Sequence, residues 1–244
     1  MEHPKGIADK IVAWLRDYAA HAGAGGYVVG LSGGIDSACT AALCQRAMGD
    51  GVLAMCLPCR SLPADAEMAH LVVEALGLPV ITVDLETAYD GLLAALPAAI
   101  SDLARANLKP RLRMATLYAL AQTRGYLVAG TGNKSEIAVG YFTKYGDAGV
   151  DVEPLGNLYK WQVRQLAREL GIPQPVIDRP PTAGLWAGQT DEAEMGITYD
   201  ALDAALAAIE AEQPENVDPA TLARVQRMSA TSAHKRALPP ICPL

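Results

Sequence analysis

The sequence predicts an α/β fold, a doubly wound parallel sheet with helices on both faces. Short apolar runs alternate with amphipathic stretches of helical period over about the first 130 residues, as in sheets built from strand–helix–strand units. The first of these runs, Tyr27-Val28-Val29, leads directly into the string GLSGGIDS at residues 30–37. Ligands of such sheets bind at the carboxyl ends of the strands, so this string is the first candidate for a functional site.

Apolar period and the glycine and proline breakers place the elements of the first half of the chain. The predicted helices span about residues 5–21, 37–48, 65–76 and 112–123. The predicted strands span about residues 27–31, 52–57, 80–83 and 126–129, and the breakers HAGAGG and GLP precede two of them. Residues 84–104 are ambiguous, and we expect them to form helical pieces.

The alternation ends beyond Gly130. Residues 131–158 are rich in glycine and polar side chains and show no clear period, and residues 173–198 hold four of the 16 prolines. The second segment is therefore expected to be largely irregular, and a loop that long in a compact domain is usually functional or disordered. Further helices are predicted at about residues 159–170, 198–211 and 218–230.

Composition limits the class of protein. A chain of 244 residues is expected to form a single domain, 1–244, and its net charge of −7 argues against a nucleic-acid partner or an anionic membrane surface. The first ten residues are polar and no apolar run reaches the ~18 residues of a membrane span. These features, with an odd number of cysteines, five, predict a cytoplasmic protein. Cys56 and Cys59 are expected to be plain thiols, since no second Cys/His pair completes a zinc site.

The string S-G-G-x-D-S has the properties of a phosphate-binding turn. Its glycines let backbone amides approach an anion, and the amino terminus of the following helix adds unpaired N–H groups. Asp36 would repel phosphate unless it holds Mg²⁺ against it. The alternative is a tight turn in which Asp36 or Ser37 caps the helix. The complete string favours the phosphate site, whose candidate residues are Gly30, Leu31, Ser32, Gly33, Gly34, Ile35, Asp36 and Ser37.

Two common nucleotide motifs do not fit the sequence. The string G-x-x-x-x-G-K-S/T of ordinary kinases and ATPases does not occur. Residues 130–135, GTGNKS, resemble a dinucleotide fingerprint, but serine replaces its third glycine and no acidic residue follows a next strand about twenty positions on. A hydride-transferring dehydrogenase is therefore disfavoured.

Longer strings resemble one family. S-G-G-x-D-S resembles the pyrophosphate loop of the adenylating N-type ATP pyrophosphatases. VAGTGNKSEIAVGYFTKYGDAGVDVEPLGNLYK (128–160), RPPTAGLWAGQTDEAEMGITYD (179–200) and AHKR (233–236) resemble the synthetase domain of NAD synthetases. NLKPRLRM (107–114) resembles their N-x-x-A-R-x-R-M, with Pro110 in place of alanine, which suits the first turn of a helix.

The resemblance implies a Rossmann-like sheet of the adenine nucleotide alpha hydrolase type and a ligase activity. The implied reaction is the ATP-dependent amidation of deamido-NAD⁺ by ammonia through an adenylate, with release of AMP and pyrophosphate. The family is homodimeric, and the apolar side chains of residues 111–123 agree with a dimer here.

The resemblance also implies roles for single residues. ATP is expected to contact residues 30–37, Thr131, Lys160 and Thr182, with Asp36 and Glu136 binding Mg²⁺. Deamido-NAD⁺ is expected to contact Arg111, Lys144, Asp151, His234 and Lys235. Asp147 matches an acid near the ammonia site, where it could accept a proton from ammonium, and Lys160 is expected to act on the ATP phosphates.

Several alternatives stay open from the sequence. Family members that use glutamine carry a separate amidase domain, and because this chain lacks one, it is expected to use free ammonia or ammonia from a separate glutaminase. Another adenylating amidotransferase or thiolase is the alternative enzyme. A nucleotide-binding regulator without turnover is the alternative from another class, and the intact Asp36, Glu136 and Lys160 weigh against it.

Overall fold

The computed structural model describes residues 3–96, 100–186 and 188–243. Its strands are β1 (Tyr27–Gly30), β2 (Val52–Cys56), β3 (Val80–Thr82) and β4 (Leu127–Ala129). Its helices are α1 (Pro4–His21), α2 (Ile35–Met48), α3 (Pro63–Leu76), α4 (Glu86–Ala95), α5 (Asp102–Arg124), α6 (Lys134–Val139), α7 (Lys160–Leu170), α8 (Gln174–Asp178), α9 (Asp191–Met195), α10 (Tyr199–Glu210) and α11 (Pro219–Thr231).

The four strands form one parallel sheet in the order β3-β2-β1-β4. Tyr27 at the start of β1 pairs with Val52 on one side and with Leu127 on the other, so β1 is a central strand. Since parallel strands end at the same edge, the residues after β1 and β4 become neighbours. This places the string at 30–37 beside residues 130–135.

Helices cover both faces of the sheet, as the sequence predicts. Val28 and Val29 are both fully buried but belong to different hydrophobic clusters, because successive side chains of a strand point to opposite faces. One cluster joins the sheet to α1, α2 and α7, and the other joins it to α4 and α5. The predicted α/β class is confirmed.

A third hydrophobic cluster lies beyond the sheet and supports the second half of the chain. Tyr199, Leu202 and Val225 are buried there, where α10 packs on α6, α7 and α11. In the described ranges, no helix has the length and apolar character needed to cross a membrane. Cys56, the last residue of β2, and Cys59, in the loop after it, are both free thiols.

The prediction for the start of α5 is wrong. The helix begins at Asp102, ten residues before the predicted start, and Pro110 lies buried in its interior rather than in its first turn. Ser101 provides the true start, since its Oγ accepts a hydrogen bond from Ala104 N at 3.3 Å. Proline removes one helical hydrogen bond, and the packing of the buried turn around Lys109 and Pro110 outweighs that loss.

The segment predicted to be largely irregular contains two short helices, α8 and α9, and a third, α6, lies in the stretch without a clear period. Each has five or six residues, which is too short to show an apolar period in the sequence. The starts of α6 and α9 are capped by the side chains of Asn133 and Thr190, whereas α8 starts after Pro173 without a side-chain cap. The helix α2 also starts earlier than predicted, at Ile35 instead of Ser37.

We expect the contact between the turns before β1 and β2 to be required for folding. A Cβ added at Gly26 would lie 1.9 Å from the carbonyl oxygen of Gly51, a backbone atom that cannot move without shifting the strands. Gly26→Ala should lower the free energy of unfolding by about 3 kcal/mol, measured by urea denaturation. Gly91→Ala is the matched control, since Gly91 lies in α4 with open space around its Cα. Alanine there should raise stability by up to about 1 kcal/mol, and equal effects would contradict this account.

Candidate active site

A buried lysine at the carboxyl edge of the sheet forms the centre of the site. Lys160 is 1% exposed, and its Nζ lies 2.5 Å from Asp36 Oδ2 and 3.3 Å from Glu136 Oε1. Asp36 lies in the first turn of α2, Glu136 in the first turn of α6, and Lys160 is the first residue of α7. Three helix starts therefore converge on one ion-pair cluster, and the structure brings these three predicted residues together.

The turn at residues 30–37 has the conformation expected for an anion site. Gly33 has φ +77°, and a Cβ there would lie 2.4 Å from the carbonyl oxygen of Asp65, so only glycine fits. Ser37 Oγ donates to Gly34 O and accepts from Ser32 N. Among the described residues no side chain caps α2, which leaves its first N–H groups available to a ligand. The alternative reading of Asp36 or Ser37 as a cap therefore lacks support.

Asn133 links the two acidic residues of the centre. Its backbone N donates to Glu136 Oε2 at 3.3 Å, while its Oδ1 accepts from Glu136 N at 3.0 Å, a reciprocal capping box. Its Nδ2 donates to Asp36 Oδ1 at 2.9 Å. The capping of α6 thus also fixes the relative position of the two carboxylates.

The start of α7 is held by a second buried polar group. Ser135 Oγ accepts from Lys160 N at 3.0 Å and donates to the carboxylate of Asp203. Asp203 also accepts from Trp161 N at 3.1 Å. This contact between α6, α7 and α10 orients the backbone of Lys160 toward the centre.

Burial and charge act in opposite directions on the ionisable groups of the centre. Burial lowers the pKa of Lys160, but Asp36 and Glu136 outweigh it and raise that pKa above its ordinary value. Burial raises the pKa of Glu136 to about 7, against the lowering effect of Lys160. Removing one partner from such a cluster leaves an uncompensated buried charge, which is strongly destabilising.

A small cavity adjoins this centre on the side of β4. It has a volume of about 50 Å³, enough for one or two water-sized molecules, and is lined by Thr131, Gly132, Glu136, Ile137, Phe142, Asp147, Ala148 and Glu153. Asp147 Oδ1 accepts from Thr143 N at 2.9 Å. Asp147 is exposed to solvent, yet the surrounding protein desolvates its carboxylate and raises its pKa. Thr131 and Asp147, two predicted site residues, thus share one cavity with Glu136.

Sequence reasoning missed Glu153, the third acidic residue of this cavity. Its Oε2 accepts from Gly132 N at 3.1 Å, and a Cβ added at Gly130 would lie 2.4 Å from the same oxygen. The glycines of the GTG string are thus needed for the close approach of a glutamate. Burial raises the pKa of Glu153 to about 8.

Four of the five residues expected to contact deamido-NAD⁺ lie close together. An Nη of Arg111 donates to Lys144 O at 3.3 Å, and Lys144 Nζ donates to His234 O at 2.7 Å. Lys235 Nζ donates to the carbonyls of residues 140 and 142, both at 2.8 Å. Asp151 has different neighbours, since it accepts from Val128 N and from the hydroxyl of residue 118.

Thr182 lies in a segment that returns to the glycine-rich turn. Its Oγ1 accepts from Gly184 N at 3.1 Å. The neighbouring Arg179 forms an ion pair with Asp65 and donates to Gly33 O at 3.5 Å. These contacts place the start of the proline-rich segment beside the turn that follows β1.

Two further buried residues, Tyr199 and Asp191, contact the centre and were also missed. The Tyr199 hydroxyl lies 2.9 Å from Glu136 Oε1 and 3.0 Å from Asp191 Oδ2. Lys160 Nζ lies 4.7 Å from the centroid of the Tyr199 ring, a cation–π contact. Both residues occur in the string GQTDEAEMGITYD, but nothing in their spacing shows that they are buried against Glu136.

The fold and the site together define a class. The site combines a glycine-rich strand-to-helix turn, whose helix amides are free, with two carboxylates paired to a buried lysine. This arrangement is typical of a nucleotide-binding α/β enzyme. The family model described as NAD synthase matches residues 7–239. The chain therefore belongs to the NAD synthase family. It is an enzyme of NAD biosynthesis, an ATP-binding ligase that forms a C–N bond.

Individual relatives agree with this membership. The chain is 46% identical to the NH(3)-dependent NAD(+) synthetase of Carboxydothermus hydrogenoformans over 96% of this chain and 95% of that one. A structure of NMN synthetase from Francisella tularensis matches with a TM-score of 0.93 and 37% identity over 100% of both chains. The NH3-dependent NAD synthetase of Campylobacter jejuni matches with a TM-score of 0.86 and 29% identity, again over 100% of both. The family model, the Carboxydothermus hydrogenoformans relative and the Campylobacter jejuni structure favour NAD synthesis over another adenylating enzyme and over a regulator without turnover.

We expect Glu153 to make the stability of the protein depend on pH. Because its pKa lies at about 8 in the folded chain instead of 4.5, the folded state holds a proton that the unfolded state releases between these values. The free energy of unfolding should therefore fall as pH rises through this window, by up to about 1.4 kcal/mol per pH unit from this residue. Glu153→Gln should reduce that slope, measured by urea denaturation between pH 5 and 8. Glu67→Gln, at an exposed position of α3, should leave it unchanged. Equal slopes in wild type and Glu153→Gln would contradict the assignment.

Proposed function

We infer that this enzyme amidates the nicotinate carboxylate of deamido-NAD⁺ with ammonia, consuming ATP and releasing AMP and pyrophosphate. The observation that carries the inference is the buried Lys160–Asp36–Glu136 cluster directly beyond the glycine-rich turn. It combines an anion-binding helix start with two carboxylates in a single crevice. The names of the curated relatives support ammonia as the nitrogen source.

The donor set of the centre fits Mg²⁺. Within the described ranges, no group of three or more His, Cys, Asp or Glu side chains could hold a metal ion by itself. Mg²⁺ usually takes only one or two carboxylates and completes its shell with substrate phosphates and water. Asp36 and Glu136 would supply those carboxylates, and the bound ion would neutralise charge on the ATP phosphates and on the leaving pyrophosphate.

The first half-reaction depends on positioning and charge. A carboxylate resists attack by ammonia because oxide is a poor leaving group, so the nicotinate carboxylate must first attack the α-phosphorus of ATP. The free N–H groups of α2, the hydroxyls of Thr131 and Thr182, and the Lys160 ammonium would hold the phosphates for this attack. Lys160 is already held by its two carboxylates and by Ser135, so little reorganisation is needed.

The second half-reaction requires ammonia beside the acyl-adenylate. The cavity of about 50 Å³ lies between Thr131 on the nucleotide side and Asp147, and it is large enough for ammonium. Asp147 would take one proton from ammonium, and the resulting ammonia would attack the acyl carbon. The attacking nitrogen would then lose a second proton to the departing AMP phosphate or to water as the bond to AMP breaks. Glu153 lines the same cavity with a raised pKa, so it would ionise when a cation enters beside it and would then favour that cation over water.

A basic group beside the cavity would bind the second substrate. Arg111, Lys144, His234 and Lys235 supply positive or hydrogen-bonding groups in a chain whose net charge is −7. An internal pyrophosphate needs such cations. The relative named NMN synthetase favours a second candidate substrate, nicotinate mononucleotide, which presents the same carboxylate with a single phosphate.

The test is incubation of the purified chain with ATP, Mg²⁺, ammonium and either deamido-NAD⁺ or nicotinate mononucleotide. Formation of NAD⁺ with AMP and pyrophosphate is the expected result. Preferred amidation of the mononucleotide would select the second candidate. Formation of ADP and phosphate would contradict the adenylation mechanism, and efficient synthesis from glutamine alone would contradict ammonia as the nitrogen source.

Two substitutions should separate the half-reactions. Asp36→Asn removes a proposed metal ligand and should abolish most pyrophosphate release. Asp147→Asn removes the proposed proton acceptor and should slow amide formation by about a hundredfold while pyrophosphate release continues. Rapid-quench measurement of pyrophosphate and NAD⁺ in the same sample gives both rates. Equal loss of both products in Asp147→Asn would assign Asp147 to substrate binding or folding.

We also propose that the single synthetase domain acts as a two-fold symmetric homodimer. On α5, the side chains of Leu112, Leu117, Tyr118 and Leu120 are only partly buried against the sheet, which leaves apolar surface for a partner. Sedimentation equilibrium at micromolar concentration should give twice the 25.7 kDa of one chain. A mass near that of one chain would contradict the dimer.

A further inference from the structure

One hydroxyl group lies between two buried carboxylates next to the centre. Tyr199 is 0% exposed, and its hydroxyl oxygen is 2.9 Å from Glu136 Oε1 and 3.0 Å from Asp191 Oδ2. Asp191 is also buried, at 5% exposed. The side chains come from α10, α6 and α9, so three helices meet at this one group.

The number of protons limits what this hydroxyl can do. A tyrosine has one hydroxyl proton, so it can donate to only one of the two carboxylates at any moment. A hydrogen bond to an ionised carboxylate is stronger than one to a neutral acid, so the two acceptors compete for the same proton. The other oxygen of Asp191 lies 3.1 Å from the Tyr141 hydroxyl, which itself lies 2.8 Å from Glu194 Oε2. Gln189 Nε2 donates to the same Glu194 oxygen at 2.7 Å, which leaves the Tyr141 proton for Asp191. Asp191 therefore has a second donor, and the Tyr199 proton can be given to Glu136.

The same glutamate oxygen also faces Lys160. Glu136 Oε1 is 3.3 Å from Lys160 Nζ, whereas Asp36 Oδ2 is only 2.5 Å from that nitrogen. The longer pair leaves Glu136 only weakly held by the lysine. The Tyr199 hydroxyl, at 2.9 Å, is the shorter contact of this oxygen and fixes its direction.

Asp191 joins this contact to the segment that carries Thr182. Its backbone N donates to Pro181 O at 3.1 Å, directly before Thr182. The position of the Tyr199 hydroxyl is thus tied to backbone that lies beside the proposed ATP site. Substitution of Asp191 should therefore shift the Tyr199 hydroxyl and, through it, the carboxylate of Glu136.

We propose that Tyr199 is a positioning residue for Glu136, with Asp191 holding the tyrosine hydroxyl so that the glutamate stays turned toward the metal instead of closing onto Lys160. This rests on the proposed function, in which Glu136 binds Mg²⁺. Tyr199 does not touch the reacting atoms. Its loss should weaken metal binding more than it slows the chemical step at saturating metal.

The test measures the Kd for Mn²⁺ in three variants by electron paramagnetic resonance. ATP is present and the second substrate is left out. Tyr199→Phe keeps the ring under the lysine and removes only the hydroxyl, and it should raise the Kd for Mn²⁺ about tenfold. Asp191→Ala should raise that Kd by a smaller factor. Tyr159→Phe is the matched control. The Tyr159 hydroxyl donates to Glu210 Oε2, 2.7 Å away, and does not contact the centre, so this variant should have the wild-type Kd for Mn²⁺.

Steady-state rates provide the second readout. In Tyr199→Phe the half-saturating Mg²⁺ concentration for pyrophosphate release should rise about tenfold, while kcat at saturating Mg²⁺ stays within about threefold of wild type. An unchanged Mn²⁺ Kd in folded Tyr199→Phe would overturn the proposal, as would a fall in kcat with no change in metal dependence. If Tyr199→Phe fails to fold, as judged by thermal unfolding, an unchanged Kd in Asp191→Ala overturns it. Absence of ATP-dependent Mn²⁺ binding in wild type would instead contradict the proposed function itself.

Discussion

The buried ion pair between Lys160 and the carboxylates of Asp36 and Glu136 is the interaction on which the rest of the site depends. A lysine that is 1% exposed is tolerated only if its charge is compensated and its N–H groups have partners. Compensation requires two acidic side chains from different parts of the chain to meet at one point. The capping box of Asn133 and the Ser135–Asp203 contact both serve this requirement, since they fix the helix starts that carry the charges.

The order of the strands provides the place for this meeting. From β1 the chain builds outward to β2 and β3, and it then returns to add β4 on the other side of β1. The direction of winding therefore reverses between β1 and β4, and the connections after these two strands separate to leave a crevice. Asp36 follows β1 and Glu136 follows β4, so the topology alone brings the glycine-rich turn and the GTGNKSE string to the same crevice. Lys160 then enters from α7, which packs on α2.

Much of this architecture was predictable because it depends on local patterns. The four strands, the helices of the first half and the turn at residues 30–37 follow from apolar runs, breakers and glycines. The start of α5 was not predictable from Pro110, because a proline favours a first turn only when no earlier cap competes, and Ser101 is such a cap. Glu153, Asp191 and Tyr199 escaped sequence reasoning for another reason. Each looks like an ordinary polar residue, and its role depends on burial against parts of the chain that are distant in sequence.

The balance of charge explains why a site for polyphosphate contains so many acids. Asp36 and Glu136 contact one lysine, Asp191 lies next to them across the Tyr199 hydroxyl, and Asp147 and Glu153 lie on the adjoining cavity. Desolvation already raises the pKa of Glu136, Asp147, Asp191 and Glu153, which is the expected response of carboxylates that lack sufficient positive charge. A metal ion at Asp36 and Glu136, and ammonium beside Asp147, would each supply positive charge where this deficit occurs. Acidic residues look unsuited to binding ATP, but here they are suited to binding two cations. These are the metal ion that the proposed reaction requires and the ammonium that it consumes.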